Sequence, residues 1–360
     1  MSRLDDYMAS DLIKKVQKKY GKNILQKAKD YGIQKVARIP SGVFFVDYAL
    51  GGGFPAGRAN ILWGHKSTGK TALCLRMLGN MQKLCANCYS RAVDGVCACG
   101  KYREPVCVYM DIEGTWDHAW AQLMGVDENR MILSVPEFAE QALDITEAHL
   151  RSGEVDLVVI DSIAFLTPAK EIEESTGKAL QAEQARVVGR AIRKFNSALN
   201  HCGMKFNRRP TIMFTNQVRM KIGLLFGNPE TQPGGFAAGF QATTEVHTYG
   251  GKYEMDEITG QPVWVDMKFR VEKNKSSGAK MEGEWRLMLS DTENKKKGDV
   301  ADEAELIATG QRIGLISGSG SSWECLGENY KGKSKITERI LLDPDFKTMY
   351  QEALLKVLTV

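Results

Sequence analysis

Apolar residues change their spacing along this chain near residue 55. Before that point Leu12, Ile13, Val16, Tyr20, Ile24 and Ala28 recur at helical intervals, with Lys14, Lys15, Lys18, Lys19 and Lys22 between them. The spacing predicts one amphipathic helix, set apart by the turn at Pro40-Ser41-Gly42. A lone helix must bury its stripe on its own core or on a neighbouring subunit. After residue 55, short apolar runs alternate with helical stretches. Strands are predicted at Ala59–Trp63, Val106–Met110, Met131–Val135, Leu157–Ile160 and Thr211–Thr215. Helices are predicted from Lys70 to about Leu84, around Trp116–Met124, at Glu137–Arg151 and at Ala182–Cys202. Such alternation implies an α/β fold with a mostly parallel central sheet and helices on both faces. The runs Thr243–Tyr249, Val263–Val271 and Glu284–Leu289 lack intervening helices and read as antiparallel strands on one edge. Helical Glu303–Thr309 and Phe346–Leu358 suggest a small C-terminal domain over 296–360.

Composition narrows the class. Hydrophobic residues make up 43% and charged residues 26%, ordinary for a globular protein. No apolar run approaches the roughly 20 residues that cross a bilayer, so no membrane partner is expected. The first residues carry acids and no apolar core, unlike a signal or transit peptide, which points to the cytoplasm. Net charge is only +4, yet residues 1–35 hold nine Lys or Arg against four Asp or Glu. A basic segment of this kind is commonly a solvated helix face and is weak evidence for nucleic acid by itself.

Gly64-His65-Lys66-Ser67-Thr68-Gly69-Lys70-Thr71 matches the G-x-x-x-x-G-K-[ST] pattern between a strand and a helix. Glycines let backbone N–H groups turn inward to cradle phosphates, and the helix N-terminus adds positive potential. Lys70 supplies a point charge, and Thr71 a hydroxyl for Mg²⁺. Asp161 ends the apolar strand Leu157–Ile160 and would face that Mg²⁺; an Asp capping the next segment is the alternative. Glu113, beyond Val106–Met110, is the candidate for orienting the attacking water. Asp111 beside it is a weaker candidate, and a solvated turn acid is the plain alternative.

Four of eight cysteines cluster at Cys85, Cys88, Cys97 and Cys99. Two close pairs within 85–100 suit tetrahedral Zn²⁺ in a reducing compartment, against the alternative of disordered free thiols or a surface hairpin. Cys107 falls in a strand and reads as core.

The stretch Ile39–Arg58 resembles the RecA family of bacterial and phage DNA recombinases, as do Tyr109-Met-Asp-Ile-Glu113 and Val159-Ile-Asp-Ser162. The most specific match is Asn216-Gln-Val-Arg-Met-Lys-Ile-Gly, continuing to Gly235. The likeness covers nearly all of the chain, with the cysteine-rich insertion as its largest departure. It implies a RecA-like P-loop ATPase core over 38–295, an oligomerising N-terminal helix over 1–37 and a small C-terminal α/β domain. The implied activity is DNA-dependent ATP hydrolysis with Mg²⁺, by a homo-oligomeric helical filament that binds single- and double-stranded DNA and exchanges strands. A ring helicase or repair ATPase on the same core is the alternative enzyme, and an ATP-switched DNA-binding regulator the non-enzyme alternative.

The resemblance also implies site roles. Gln217 would sense the γ-phosphate and pass its presence to a DNA-binding loop over 218–238 carrying Arg219, Lys221, Gly234 and Gly235. A second DNA loop spans 171–182 and leads to Arg186 and Arg193, which Arg190 joins at helical spacing; a solvated helix face is the alternative there. Lys273 and Lys275 match lysines that reach the ATP of an adjacent subunit, and Asp117 and Trp120 fall where adenine is held. Phe240, beside Gly239, would lie at a subunit contact.

Overall fold

The computed structural model describes residues 2–28, 36–173, 181–206, 208–220, 230–232, 239, 241–276 and 281–358. The single N-terminal helix expected from the apolar spacing is instead two, α1 (Arg3–Met8) and α2 (Asp11–Tyr20). Serines divide them. Ser2 and Asp5 form a reciprocal capping box on α1, and the Ser10 hydroxyl accepts from the Ile13 amide to open α2. Gly21, at φ 103°, ends α2, so Ile24 and Ala28 fall off its stripe. Ile13 is the buried residue of α2; Leu12 and Tyr20 stay exposed.

Strand β1 (Arg38–Ile39) pairs with β2 (Phe54–Pro55) around helix α3 (Phe44–Leu50). Then come β3 (Ala59–Gly64), α4 (Lys70–Met81), β4 (Cys107–Asp111), α5 (His118–Leu123), β5 (Met131–Ser134), α6 (Ala139–Ser152) and β6 (Leu157–Asp161). The short α7 (Ala169–Glu173) and the long α8 (Gln181–Phe206) precede β7 (Thr211–Gln217), β8 (Arg219–Met220) and β9 (Glu230–Thr231). Strands β10 (Thr244–Met255), β11 (Pro262–Asn274) and β12 (Glu282–Met288) complete a sheet of order β12-β11-β10-β3-β7-β6-β4-β5.

From β10 to β5 that order is parallel, and β11 and β12 add antiparallel pairs. The run expected as the first antiparallel edge strand, Thr243–Tyr249, therefore joins the parallel part. Its Thr244–Thr248 pair with Asn60–Gly64 of β3, and β10 turns antiparallel only toward β11.

Alternation along the strands feeds two cores. Leu62 and Val159 face the layer of α4, with Leu73, Met77 and Leu78. Ile61, Trp63, Val158, Ile160, Ile212 and Phe214 face α6 and α8, meeting Leu143, Val188, Ile192 and Phe195. With both faces covered, β3, β4 and β6 are buried at every residue. A third core joins Phe44 of α3 to the C-terminal helices Glu303–Arg312, Lys333–Leu342 and Pro344–Leu358 through Leu306, Ile336, Ile340 and Tyr350. Between these helices lies a three-stranded sheet over Ile316–Ser319, Ser322–Cys325 and Glu328–Lys331. No helix among the described residues is long and apolar enough to cross a membrane.

Candidate active site and cysteine centre

The phosphate-loop sequence leaves β3 at Gly64 and enters α4 at Lys70. Glycine is obligatory at both ends of the loop. A Cβ on Gly64 would lie 1.9 Å from the Thr248 carbonyl oxygen, and one on Gly69 2.5 Å from Met267 Sδ. Gly69 also takes φ 82°, in the left-handed region. His65, Lys66 and Ser67 are exposed, and buried Thr68 anchors the loop by donating to the His65 carbonyl at 2.8 Å. Its hydroxyl also meets Thr248 Oγ1 at 2.8 Å. Lys70 Nζ folds back onto the Gly64 and His65 carbonyls at 3.1 and 2.5 Å. Burial holds its ammonium below the ordinary value, while the Asp161 and Glu113 carboxylates act in the opposite sense.

Asp161 ends β6 directly opposite Asp111 of β4. Its carboxylate accepts from Thr71 Oγ1 at 2.8 Å and from the Tyr109 hydroxyl at 2.7 Å, and it also pairs with Thr215 Oγ1. Burial and then the Asp161 charge push the Tyr109 hydroxyl well up, so it stays a donor. Asp161 is thus an oriented acceptor beside Thr71 rather than a cap on the next segment. Glu113 lies at the same sheet edge and accepts from Ser162 Oγ at 2.8 Å. Asp111, the weaker water-orienting candidate, is buried and accepts from the Trp116 amide at 2.9 Å, which fixes a turn.

A glycine-bounded loop at a helix N-terminus, an ammonium folded onto it and a hydroxyl–carboxylate pair at the C-terminal strand ends suit a nucleoside triphosphate with a divalent cation. Tyr109, Ser162 and Thr215 were not singled out from sequence as supports. Their partners lie 49 to 54 residues away, so the register that joins them is not a local pattern.

The remaining residues divide. Gly64 pairs with Gln217 across β3 and β7, so Gln217 sits level with the start of the loop. Its amide donates to Asn216 Oδ1 at 3.0 Å. Arg219 begins the ribbon β8–β9, a short paired segment within the expected loop 218–238; Lys221, Gly234 and Gly235 lie outside the described residues, as does Phe240. Of the 171–182 loop, residues 171–173 belong to α7 and 181–182 to α8, and the span between lies outside them too. Arg186, Arg190 and Arg193 form one exposed stripe on α8, with Arg186 paired to Glu183 at 3.2 Å.

Asp117 caps α5 by accepting from the Trp120 amide at 3.0 Å, while Trp120 packs half-buried against the core. Lys273 pairs with Glu245, which itself lies beside Ile61 of β3, three residues before the phosphate loop. Its Nζ donates to the Gly239 carbonyl. Lys275 follows, its amide donating to Thr243 at 3.0 Å. Both lysines therefore lie toward the far end of the strands from this chain's own Thr71.

The insertion gathers the four cysteines it was expected to gather. The sulfurs of Cys85, Cys88, Cys97 and Cys99 all lie within 4.8 Å of one another. Burial raises the Cys88 thiol, but the Ser90 hydroxyl and amide outweigh it and draw it down to about 6. Contact with the Lys101 backbone lowers Cys99, yet Cys97, desolvation and the other cysteines push it up to about 12. Four crowded thiols that cannot all ionise together are a donor set for a cation. Cys74, Cys107, Cys202 and Cys325 are buried elsewhere, Cys107 in the core as expected.

The RecA N-terminal domain family matches residues 8–292. Protein RecA 1 of Myxococcus xanthus is 36% identical over 335 residues, covering 92% of this chain and 87% of that protein. Protein RecA of Nautilia profundicola is 36% identical over 327 residues, covering 90% and 83%. Protein RecA of Francisella philomiragia is 33% identical over 354 residues, covering 96% and 88%.

Proposed function

The chain belongs to the RecA family, and on that premise we propose that it is an ATP-dependent DNA recombinase of recombination and repair. It coats single-stranded DNA as a helical filament, pairs it with homologous duplex and exchanges strands, and it is a DNA-dependent ATPase. The observation that carries this is the Gly64–Gln217 register pair, because one strand end then serves both the phosphate loop and the segment 218–238.

In this reading the backbone N–H groups of residues 64–71 and the Lys70 ammonium hold the phosphates. Thr71 and Asp161 take Mg²⁺, whose charge offsets that building up on the phosphate oxygens. Glu113, held by Ser162, orients and deprotonates water. Asp117 and Trp120 flank the base. Gln217 responds to the terminal phosphate and stiffens the loop carrying Arg219, Lys221, Gly234 and Gly235, while Arg186 and Arg193 extend the DNA contact. Lys273 and Lys275, displaced from the chain's own Thr71, act on the nucleotide of an adjacent subunit, so turnover requires stacked protomers. Zn²⁺ is the resident metal of Cys85, Cys88, Cys97 and Cys99, whose all-thiolate set it prefers.

Strand exchange with and without ATP, alongside ATP turnover with and without single-stranded DNA, tests the reading. Exchange that needs ATP, turnover that rises with DNA, and open helical filaments in micrographs are expected. Turnover indifferent to DNA of every length, or closed unwinding rings, refutes it.

A further inference from the structure

We propose that the cysteine insertion is a structural zinc module that braces the central sheet from the end opposite the nucleotide, acting through Arg103. This rests on the zinc reading above and adds what the metal does.

Both halves of the centre are built as chelating turns. After Cys85–Cys88 the Tyr89 amide returns to the Cys85 carbonyl at 2.7 Å, with Tyr89 at φ 58°. After Cys97–Cys99 the Gly100 amide returns to the Cys97 carbonyl at 3.1 Å, with Gly100 at φ 65°. Two turns of different sequence thus place a left-handed residue just behind the second cysteine. For Tyr89 that conformation costs roughly 1–2 kcal/mol, which bonds at the sulfurs would offset. Zinc–thiolate bonds of about 2.3 Å give tetrahedral edges near 3.8 Å. The Cys85–Cys99 sulfurs stand 3.9 Å apart and the Cys97–Cys99 sulfurs 3.3 Å, close to that spacing.

Cys85 and Ala86 are buried and Tyr89 packs on the core, but the second half of the insertion has little else to fold around. Val93 and Val96 are 63% and 71% exposed, and the strand-like pairing there consists of single bridges at Leu84–Arg91 and Val93–Val96. Metal binding is then folding energy for this segment. Four protein thiolates fill a tetrahedron and leave no position for substrate, which marks a structural rather than a catalytic centre.

What the centre holds is a guanidinium. Arg103 lies beyond Cys99, and its carbonyl accepts from the Ala86 amide at 2.9 Å. Its side chain donates to Asn87 Oδ1 at 3.2 Å and to the Ala86 carbonyl at 3.4 Å, both inside the first cysteine turn. Its far end forms a two-pronged pair with buried Asp156, Nη1 to Oδ2 at 3.0 Å and Nη2 to Oδ1. Asp156 is a junction of strand starts: its carboxylate accepts from the Val106 amide at 3.0 Å, and its carbonyl accepts from the Thr211 amide at 2.7 Å. A connected path therefore runs from metal to cysteine turn, to Arg103, to Asp156, and to the starts of β4, β6 and β7.

The test uses the full-length protein. Zinc is measured per chain, then stripped with a mercurial and a chelator. Amide hydrogen exchange is followed at Val106, Leu157 and Thr211, with exchange in the C-terminal helices as the internal control. Expected are about one zinc per chain and about tenfold faster exchange at those strand starts after stripping, with the control unchanged. Arg103→Gln should retain zinc yet show the same rise, and Arg103→Lys should recover part of the protection. A preparation with no bound metal and four freely titrating thiols overturns the zinc reading and the brace together. Zinc present, with strand-start exchange unmoved by stripping or by Arg103→Gln, overturns the brace alone.

Discussion

Replacing Asp161 with Asn separates the charge of this carboxylate from its shape. The side chain is buried and accepts from the hydroxyls of Thr71, Tyr109 and Thr215. Hydrogen bonds to a charged acceptor contribute about 1.5–3 kcal/mol each when lost outright. Asparagine has nearly the same volume and keeps one acceptor oxygen, and the hydroxyls can reorient to accept from its amide. We therefore expect a stability loss of about 1–3 kcal/mol rather than the sum of three bonds. The functional loss should be larger, because the negative charge beside Thr71 and Lys70 disappears. Removal of a preorganised electrostatic group typically lowers turnover about 100- to 1,000-fold, or roughly 3–4 kcal/mol of barrier. The assay is ATP turnover at saturating single-stranded DNA, paired with thermal unfolding of the same preparation. A folded Asp161→Asn protein that turns over within about threefold of the parent would remove Asp161 from the cation site and leave it a sheet-edge anchor.

Glu113→Gln keeps an acceptor for Ser162 Oγ and should unfold like the parent, yet lose about 100-fold or more of ATP turnover while binding DNA in an ATP-dependent way; undiminished turnover would exclude Glu113 from orienting water. Gly79→Ala places a methyl 2.4 Å from the Gly125 carbonyl oxygen, so overpacking of about 1–3 kcal/mol should outweigh the better helix propensity and lower the unfolding temperature; a higher unfolding temperature would show that the 125 turn yields freely. Burial pushes the Asp47 carboxyl up to about 7, against hydrogen bonds from Ser41. A raised acid binds more protons in the fold than when unfolded, so its contribution is complete below about pH 4 and falls as pH climbs to about 7, by up to about 1.4 kcal/mol per unit. The stability difference between the parent and Asp47→Asn should therefore shrink from pH 5 to pH 8, and a difference that stays flat or widens would contradict the shift.

Much of this was legible because it is local. The phosphate loop is contiguous, and the acids Asp161 and Glu113 stand at or just past the ends of apolar runs, so strand polarity alone puts them on one edge. The stop of α2 was also present in the sequence, as Gly21, but the apolar spacing that runs on from Tyr20 to Ala28 hid it, and α1, capped by Ser2, lies before that stripe. Helix α3 escaped notice because its aromatic, β-branched start does not favour a helix. It is held instead by burial of Phe44, Val46 and Leu50. The C-terminal sheet at 316–331 is short and rich in Gly and Ser, so it offers no alternation to read. The supports of Asp161 and the Arg103–Asp156 pair were out of reach for another reason. Each joins residues about fifty positions apart, and only the pairing of β6 with β4 and β7 brings them together.

That pairing also explains why an insertion is tolerated beside an ATP site. Ligands of a parallel sheet bind outside the C-terminal strand ends, leaving the N-terminal ends to carry stability. The segment 85–100 leaves after α4 and returns before β4, at the N-terminal end, so it adds residues where no ligand has to fit. Four residues of β6, Leu157–Ile160, separate Asp156 from Asp161, five steps and about 16 Å of chain at about 3.3 Å per residue. Every one of those four is buried and paired on both sides, so the strand transmits position and is poorly able to flex. A disturbance at Asp156 should therefore act mainly by raising the population of a loosened sheet, lowering stability and active fraction together. Nucleotide affinity of the molecules that remain folded should be the property least affected.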